Sequence, residues 1–380
     1  MIGDERTVLQ VLPKLDSGGV QRGTVDIAKH LVAKGWRVLV AAEDGEMARE
    51  LTGLGATHIN LPMASKNPIT MMGNRRRLSQ LIRDQGINLV HARSRAPAWS
   101  ARLATKSTQT PFVTSFHGVY GGHEAAVKRR YNRVMADGDR VIAVSEFVAD
   151  HVRDVYQVGP DRLRTIPRGI DLKTFEAEKV SGLRVSPMAE RWGIDGSRKV
   201  IMLPGRITRI KGHLQLLRAA AKLNRNDFLV LFVGPGDTDG SYARQIELFL
   251  KTSTISPKVR FAGPCNDMPA AYKLADVVVV PSIGPEAFGR VSVEAQAMGK
   301  PVIVSGEGGL PETLMPASTG WLIDVEDIDG FAETLNLALD MPPEVKQRVA
   351  ARAREFVESQ YGLETMAERT VSVYRELLSR

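Results

Sequence analysis

A chain of 380 residues with 43% hydrophobic, 25% charged and 6% aromatic content excludes disorder, collagen and coiled coil, and is longer than one core usually grows, so two domains are expected. Its longest apolar stretches, 229–233 and 277–280, are strand-sized against the roughly 20 residues of a membrane-spanning helix, so no span is expected. Asp4, Glu5 and Arg6 precede a short apolar run unlike a secretory signal, and the single Cys265 can form neither an internal disulfide nor a cysteine zinc site, which together suit the cytoplasm.

Charge is unevenly placed. Residues 1–180 hold 27 Lys+Arg against 19 Asp+Glu, whereas residues 181–380 hold 24 of each. The whole net charge therefore sits in the first half, which either faces an anionic partner (phospholipid, phosphorylated acceptor or nucleic acid) or is a solvated basic surface.

In chain order, a strand at 7–12, a glycine turn, a helix at 20–34 and a strand at 37–41 form a βαβ unit. Strands at 88–91, 111–116 and 140–144 follow, so the first half reads as a parallel sheet with helices on both faces. After Phe175 the stretch with Ser181, Gly182, Ser186 and Pro187 reads as an irregular interdomain connection. The second half restarts the scheme, with strands at 199–203, 228–233, 259–262, 277–281 and 301–304 alternating with helices at 212–222, 242–252, 268–274 and 289–298. This is a second Rossmann-like domain, with its ligand edge at the strand C-termini. Residues 344–379 read as two long helices.

Four segments carry chemistry. Gly18-Gly19, between the first strand and first helix, lets a phosphate or sugar approach backbone amides, or makes a tight turn. Gly205-Arg206 and Lys211-Gly212 end a strand and open a helix, placing a guanidinium fork and an ammonium where both could reach one diphosphate. Glu286 and Glu294 bracket a helix start, with the amides of Phe288, Gly289, Arg290 and Val291 between them and the glycine loop 305–312 beside them. Carboxylates accept from vicinal sugar hydroxyls. His117 and Gly118 end a strand of the first half, followed by Tyr120.

In this order the four segments resemble the retaining glycosyltransferases of family 4, and the match covers nearly the whole chain. The resemblance implies an α/β GT-B fold of two Rossmann-like domains facing across a deep cleft: an acceptor domain at 1–178, a nucleotide-sugar domain at 179–360, and a helix at 361–380 packing back on the first. Carried over by motif, Glu286 holds donor-sugar hydroxyls, Glu294 the ribose, and Arg206 with Lys211 the diphosphate. Gly19 touches phosphate or sugar, the amides of residues 288–291 complete the diphosphate cradle, His117 meets the transferred sugar, and backbone near Pro264 and Cys265 borders the base. Retention would follow from same-face attack, with the leaving phosphate accepting the acceptor's proton. Neither a metal nor a cofactor is implied, and Asp237-Thr238-Asp239, after Gly234-Pro235-Gly236, is read as a turn rather than a metal site. One departure stands out: Arg168 occupies the place where the family commonly has asparagine before glycine.

For the acceptor, the first half offers Arg75, Arg76 and Arg77; Arg93 and Arg95; and Lys128, Arg129, Arg130 and Arg133. Val127, Tyr131, Val134 and Met135 fall on one helical face, giving a basic amphipathic helix suited to anionic inner-membrane lipid, unless these residues are core and the arginines merely solvated. The family includes enzymes acting on lipid-linked acceptors such as lipopolysaccharide core or phosphoinositides, so the expected partners are a nucleotide sugar and a glycan or lipid-linked acceptor. Nucleic acid is not expected, because it leaves the acidic pair unexplained. Gly234, Gly236 and Gly240 miss the dinucleotide fingerprint, which argues against an oxidoreductase. A nonhydrolysing sugar-nucleotide epimerase of the same fold and a non-catalytic sugar-binding module remain the alternatives.

Overall fold

The apolar runs become strands because both of their faces are buried. In the second half, Val200, Met202, Leu231, Val233, Val278, Val280, Val302 and Val304 enter one core. Their neighbours Ile201, Leu203, Val230, Phe232, Val277, Val279 and Ile303 enter another. Alternate residues point to opposite faces of a strand, so a strand covered on both sides carries no polar alternation, and the run of four valines is the result.

A computed structural model of the chain describes residues 6–16, 18–120, 126–236 and 240–379. The reading of Asp237-Thr238-Asp239 as a turn lies outside the described residues. The chain divides into two units, residues 1–169 with 363–380, and residues 170–362.

Among the described residues the first unit holds β1 (Thr7–Lys14), β2 (Arg37–Glu43), β3 (Thr57–Asn60), β4 (Leu89–Ala92), β5 (Phe112–Phe116), β6 (Arg140–Ala143) and β7 (Leu163–Thr165). They form a seven-stranded sheet in the order β3-β2-β1-β4-β5-β6-β7, every pair parallel. The second unit holds β8 (Lys199–Pro204), β9 (Phe228–Val233), β10 (Val259–Gly263), β11 (Val277–Val280), β12 (Val302–Ser305) and β13 (Gly320–Ile323). Their order is β10-β9-β8-β11-β12-β13, again all parallel. Strand order reverses between β1 and β4 in one sheet and between β8 and β11 in the other. Such switch points open a crevice beyond the strand C-termini, where ligands bind in doubly wound sheets.

The helix Leu363–Leu378 belongs to the first unit, where Ala367, Val371, Tyr374 and Leu377 join the core of β1, β2 and the helix Gly19–Ala33. Tyr374 shares a 2.6 Å hydrogen bond with His91 Nδ1, and Glu376 bridges Arg140 and Arg164 at 2.9 Å each. No helix among the described residues is long and apolar enough to cross a membrane.

Two readings of the sequence need correction. The stretch expected as an irregular connection contains the helix Gly182–Trp192, with Pro187 inside it. The N–H that Pro187 lacks would have bonded the carbonyl of Leu183, a residue 88% exposed, so water replaces the lost partner. The expected amphipathic face also breaks up: the helix Ala126–Asn132 ends in a 3-10 turn, Arg133–Ala136, which sends Val134 and Met135 into the core while Val127 stays 82% exposed.

Candidate functional site

In the second unit, the loops after β8 and β11 meet at the switch point. The chain leaves β8 through Gly205, whose φ of 150° suits a residue without a side chain. Gly212 closes the same loop at φ 71°, so near Pro281 that a β-carbon there would overlap the Pro281 carbonyl oxygen. This contact brings Lys211 to the end of β11. Its Nζ donates to Glu286 Oε1 at 2.7 Å, and the Ser282 hydroxyl donates to the same oxygen. The pair is mostly sheltered, with the Lys211 and Glu286 side chains 24% and 19% exposed.

The backbone of Glu286 is held from its other side. Gly309 N–H donates to the Glu286 carbonyl at 2.7 Å, and Gly308 adopts φ 68°, with the space for a β-carbon taken by the same carbonyl oxygen. The loop after β12 thus clamps the loop after β11. The helix Arg290–Ala297 starts four residues beyond Glu286, capped by Gly289 at φ 103°, where a β-carbon would strike Leu310. The amides of Arg290 and Val291 precede the first hydrogen bonds of the helix, which Ser292 and Val293 donate to the Gly289 carbonyl at 3.1 and 3.4 Å, and carry the positive end of its dipole.

Glu294 lies on this helix and is buried. Tyr272 donates to its Oε2 at 3.0 Å and Arg290 Nε to its Oε1 at 2.5 Å. Burial pushes the Glu294 carboxyl up, against the opposing pull of Arg290 and the Tyr272 hydrogen bond. Burial likewise pushes the Tyr272 hydroxyl well above its ordinary range, with the neighbouring carboxylate adding to it. Arg206 is exposed, and Cys265 is partly buried against the core, its thiol pushed up by burial. Pro264, exposed, precedes it at the end of β10.

In the first unit, a cluster forms beyond β1, β4, β5 and β7. Gly18 takes φ 158° and Gly19 opens the helix Gly19–Ala33. Arg168, after β7, places Nη1 in the space that a Gly19 β-carbon would fill. His117, after β5, has both ring nitrogens buried, and neither makes a hydrogen bond among the described residues. Burial holds its pKa well below the ordinary histidine value, helped by the positive charges of Arg168 and Arg93. The ring is therefore neutral at physiological pH and offers one donor and one acceptor. Tyr120 lies beneath the Arg95 guanidinium, 4.5 Å from ring centroid to carbon, and burial raises its hydroxyl pKa.

The basic residues separate into two groups. Arg76, Arg77, Lys128, Arg129, Arg130 and Arg133 are exposed and Arg75 half-buried, in company with Ile69 at 83% exposure. Arg93 is not on that surface: it is 6% exposed and its Nε donates to Gln10 Oε1 at 2.9 Å. Arg95 donates to Asn132 at 3.0 Å.

Within each unit the expected residues converge: Lys211 on Glu286, Arg290 on Glu294, Gly19 on Arg168. Sequence reasoning missed Ser282, Tyr272 and Arg93 as partners. Ser282, four residues before Glu286 at a strand end, was open to inspection. Tyr272 and Arg93 were not, since only the sheet order brings them to Glu294 and His117.

The family profile described as Glycosyltransferase Family 4 matches residues 17–174, and the profile described as Glycosyl transferases group 1 matches residues 187–356. A glycosyltransferase from Rickettsia africae ESF-5 has a crystal structure that superposes with a TM-score of 0.90, at 32% identity over 99% of both chains. The D-inositol 3-phosphate glycosyltransferase of Saccharomonospora viridis is 30% identical over 310 residues, 79% of this chain and 67% of that protein. Anabaena Alr3699/HepE, solved in complex with UDP, shares the fold at a TM-score of 0.84 and 20% identity, over 98% of this chain and 100% of that one.

Proposed function

Because this chain belongs to the family 4 glycosyltransferases and has their GT-B fold, we propose that it moves a hexose from a UDP- or GDP-sugar to a glycan or lipid-linked acceptor with retention of anomeric configuration. The observation that carries this reading is the Lys211–Glu286 pair at the β8/β11 switch point, a cation and a sugar-hydroxyl acceptor on adjacent loops above a helix N-terminus.

In this reading Lys211 and Arg206 grip the donor diphosphate together with the amides of residues 288–291. Negative charge grows on that diphosphate as the bond from the anomeric carbon to its oxygen breaks. Preorganised donors aimed at developing charge are worth about 3 to 4 kcal/mol each in the transition state. Glu286 accepts from hydroxyls of the departing sugar, Glu294 from the ribose, and backbone near Pro264 and Cys265 borders the base. The acceptor oxygen bonds to the anomeric carbon on the face the diphosphate leaves, and its proton passes to the leaving phosphate oxygen. The cations supply the charge neutralisation, so the proposed reaction needs no metal.

On the acceptor side, neutral His117 donates a hydrogen bond to the transferred sugar without adding charge, and Gly19, whose open side is taken by Arg168 Nη1, offers its backbone to phosphate or sugar. The exposed Ile69 and Val127 beside Arg76, Arg77 and residues 128–130 support contact with anionic lipid. The acceptor in that case is a glycolipid or lipopolysaccharide precursor on the inner membrane.

Incubation with radiolabelled UDP-, GDP- and ADP-sugars and a bacterial lipid extract tests this. Labelled lipid with the donor's anomeric configuration is the expected result. Epimerised sugar nucleotide without transfer, or full transfer by Glu286→Ala, overturns it.

A further inference from the structure

Where the chain re-enters the first unit, the helix Leu363–Leu378 presents Glu364 and, one turn later, Glu368. Both face His30, in the last turn of the helix Gly19–Ala33. Glu364 Oε1 lies 3.6 Å from His30 Nδ1 and Glu368 Oε1 lies 3.3 Å from Nε2. The imidazole side chain is only 10% exposed, and its Nε2 is buried without a hydrogen bond among the described residues. A neutral imidazole carries one N–H, so it can donate to one carboxylate and must turn a lone pair toward the other. Two lone pairs facing at this range repel unless positive charge lies beside them, and the Lys34 ammonium on Glu368 Oε1 supplies part of it.

The separations suit a metal ion. One ligand atom from each of the three residues lies within 4.8 Å of the others. Tetrahedral zinc with bonds of about 2.0 to 2.2 Å places its ligand atoms roughly 3.3 to 3.6 Å apart. Glu364 is 80% exposed, so its side chain is free to close the remaining distance. An imidazole nitrogen with two carboxylates favours zinc and its neighbours over magnesium or calcium, which prefer all-oxygen sites.

We propose that His30, Glu364 and Glu368 bind one divalent cation of the zinc class, through Nε2 and one oxygen of each carboxylate, with water completing the shell. The ion would tie the first turn of the Leu363–Leu378 helix to the end of the Gly19–Ala33 helix. Lys34 pairs with Oε1 of Glu368, the oxygen that faces His30 Nε2, so the ion takes the other carboxylate oxygen or displaces the ammonium, whose charge weakens the affinity. The site is structural and takes no part in sugar transfer.

Zinc titration of metal-stripped full-length protein, followed by calorimetry and by thermal unfolding, tests the assignment. One zinc per chain is expected, with Tm raised by several degrees at a hundredfold excess over Kd, and no response to magnesium. His30→Gln abolishes the shift. Glu364→Gln, altering an exposed side chain, keeps the fold and lowers zinc affinity at least tenfold; it carries the test if His30→Gln fails to fold. Zinc binding unchanged in Glu364→Gln places the metal elsewhere and overturns the proposal. So does a protein that shows no response to zinc.

Discussion

The Arg168 guanidinium occupies the space that a side chain on Gly19 would need, with Nη1 overlapping the position of the missing β-carbon. The obstacle is the far end of a flexible side chain, so Gly19→Ala displaces Arg168 rather than the backbone. We expect Gly19→Ala to leave Tm within about 2 °C of the parent and to reduce transfer at least tenfold. Arg168→Asn, which clears the space, restores part of the activity when added to Gly19→Ala. Activity of the two single variants and the double variant, measured side by side, checks this coupling; simple additivity refutes it.

Lys211 and Glu286 separate function from stability. Their ion pair is mostly sheltered yet reachable by solvent, so breaking it costs about 1 kcal/mol or less. Lys211→Ala is expected to lower kcat by roughly a hundredfold to a thousandfold, the usual effect of losing one donor to a developing anion. Steady-state kinetics together with urea unfolding provide the comparison. A loss of stability as large as the loss in transition-state binding would make the pair structural instead.

Gly308 and Gly306 share a loop but not a constraint. Gly308 adopts φ 68°, and a β-carbon added to it would collide with the Glu286 backbone, whereas a β-carbon on Gly306 meets nothing within 4 Å. Gly308→Ala should destabilise the protein by at least about 1 to 2 kcal/mol and depress activity by shifting Glu286, while Gly306→Ala is nearly silent. Denaturant midpoints and transfer rates of the two variants decide it.

Acid should weaken the second unit through His213. Burial holds this imidazole at about 4 against an ordinary 6.5, so the unfolded chain takes up the proton first as pH falls. The stability tied to the neutral ring is complete above about pH 6.5 and is lost progressively toward pH 4, by about 3 kcal/mol. His213→Phe keeps the edge-on contact with Phe232, at 4.9 Å between ring centroids, and removes the titration. Urea unfolding at pH 7 and pH 4.5 should show a smaller pH dependence in the variant.

Much of the architecture was legible because its strands are buried on both faces and read as plain apolar runs. The strands that escaped were edges: Thr57–Asn60 has both ends exposed, Leu163–Thr165 spans three residues, and Gly320–Ile323 closes the far side of the second sheet. An edge strand meets one neighbour only and needs no continuous apolar sequence. Pro187 misled for a different reason, since proline opposes a helix only as strongly as the lost bond matters. The site residues were visible through glycine spacing and paired charges, because Gly205, Gly212 and Gly289 each sit at a positive φ that favours glycine. The partners that orient them were hidden: Tyr272 reaches Glu294 across 22 positions, and Arg93 reaches Gln10 across 83.

The first unit is discontinuous, taking residues 1–169 and then 363–380, while the second is continuous between them. During translation the second unit can therefore finish folding while the first still lacks the segment bearing Tyr374 and Glu376. Until that segment leaves the ribosome, His91 has no phenol to meet and Arg140 no carboxylate, and the apolar wall that Ala367, Val371 and Leu377 will cover is bare. Protein truncated after residue 362 should accordingly be protease-resistant in the later-made unit and sensitive in the earlier-made one, the reverse of the N-to-C order in which domains ordinarily mature.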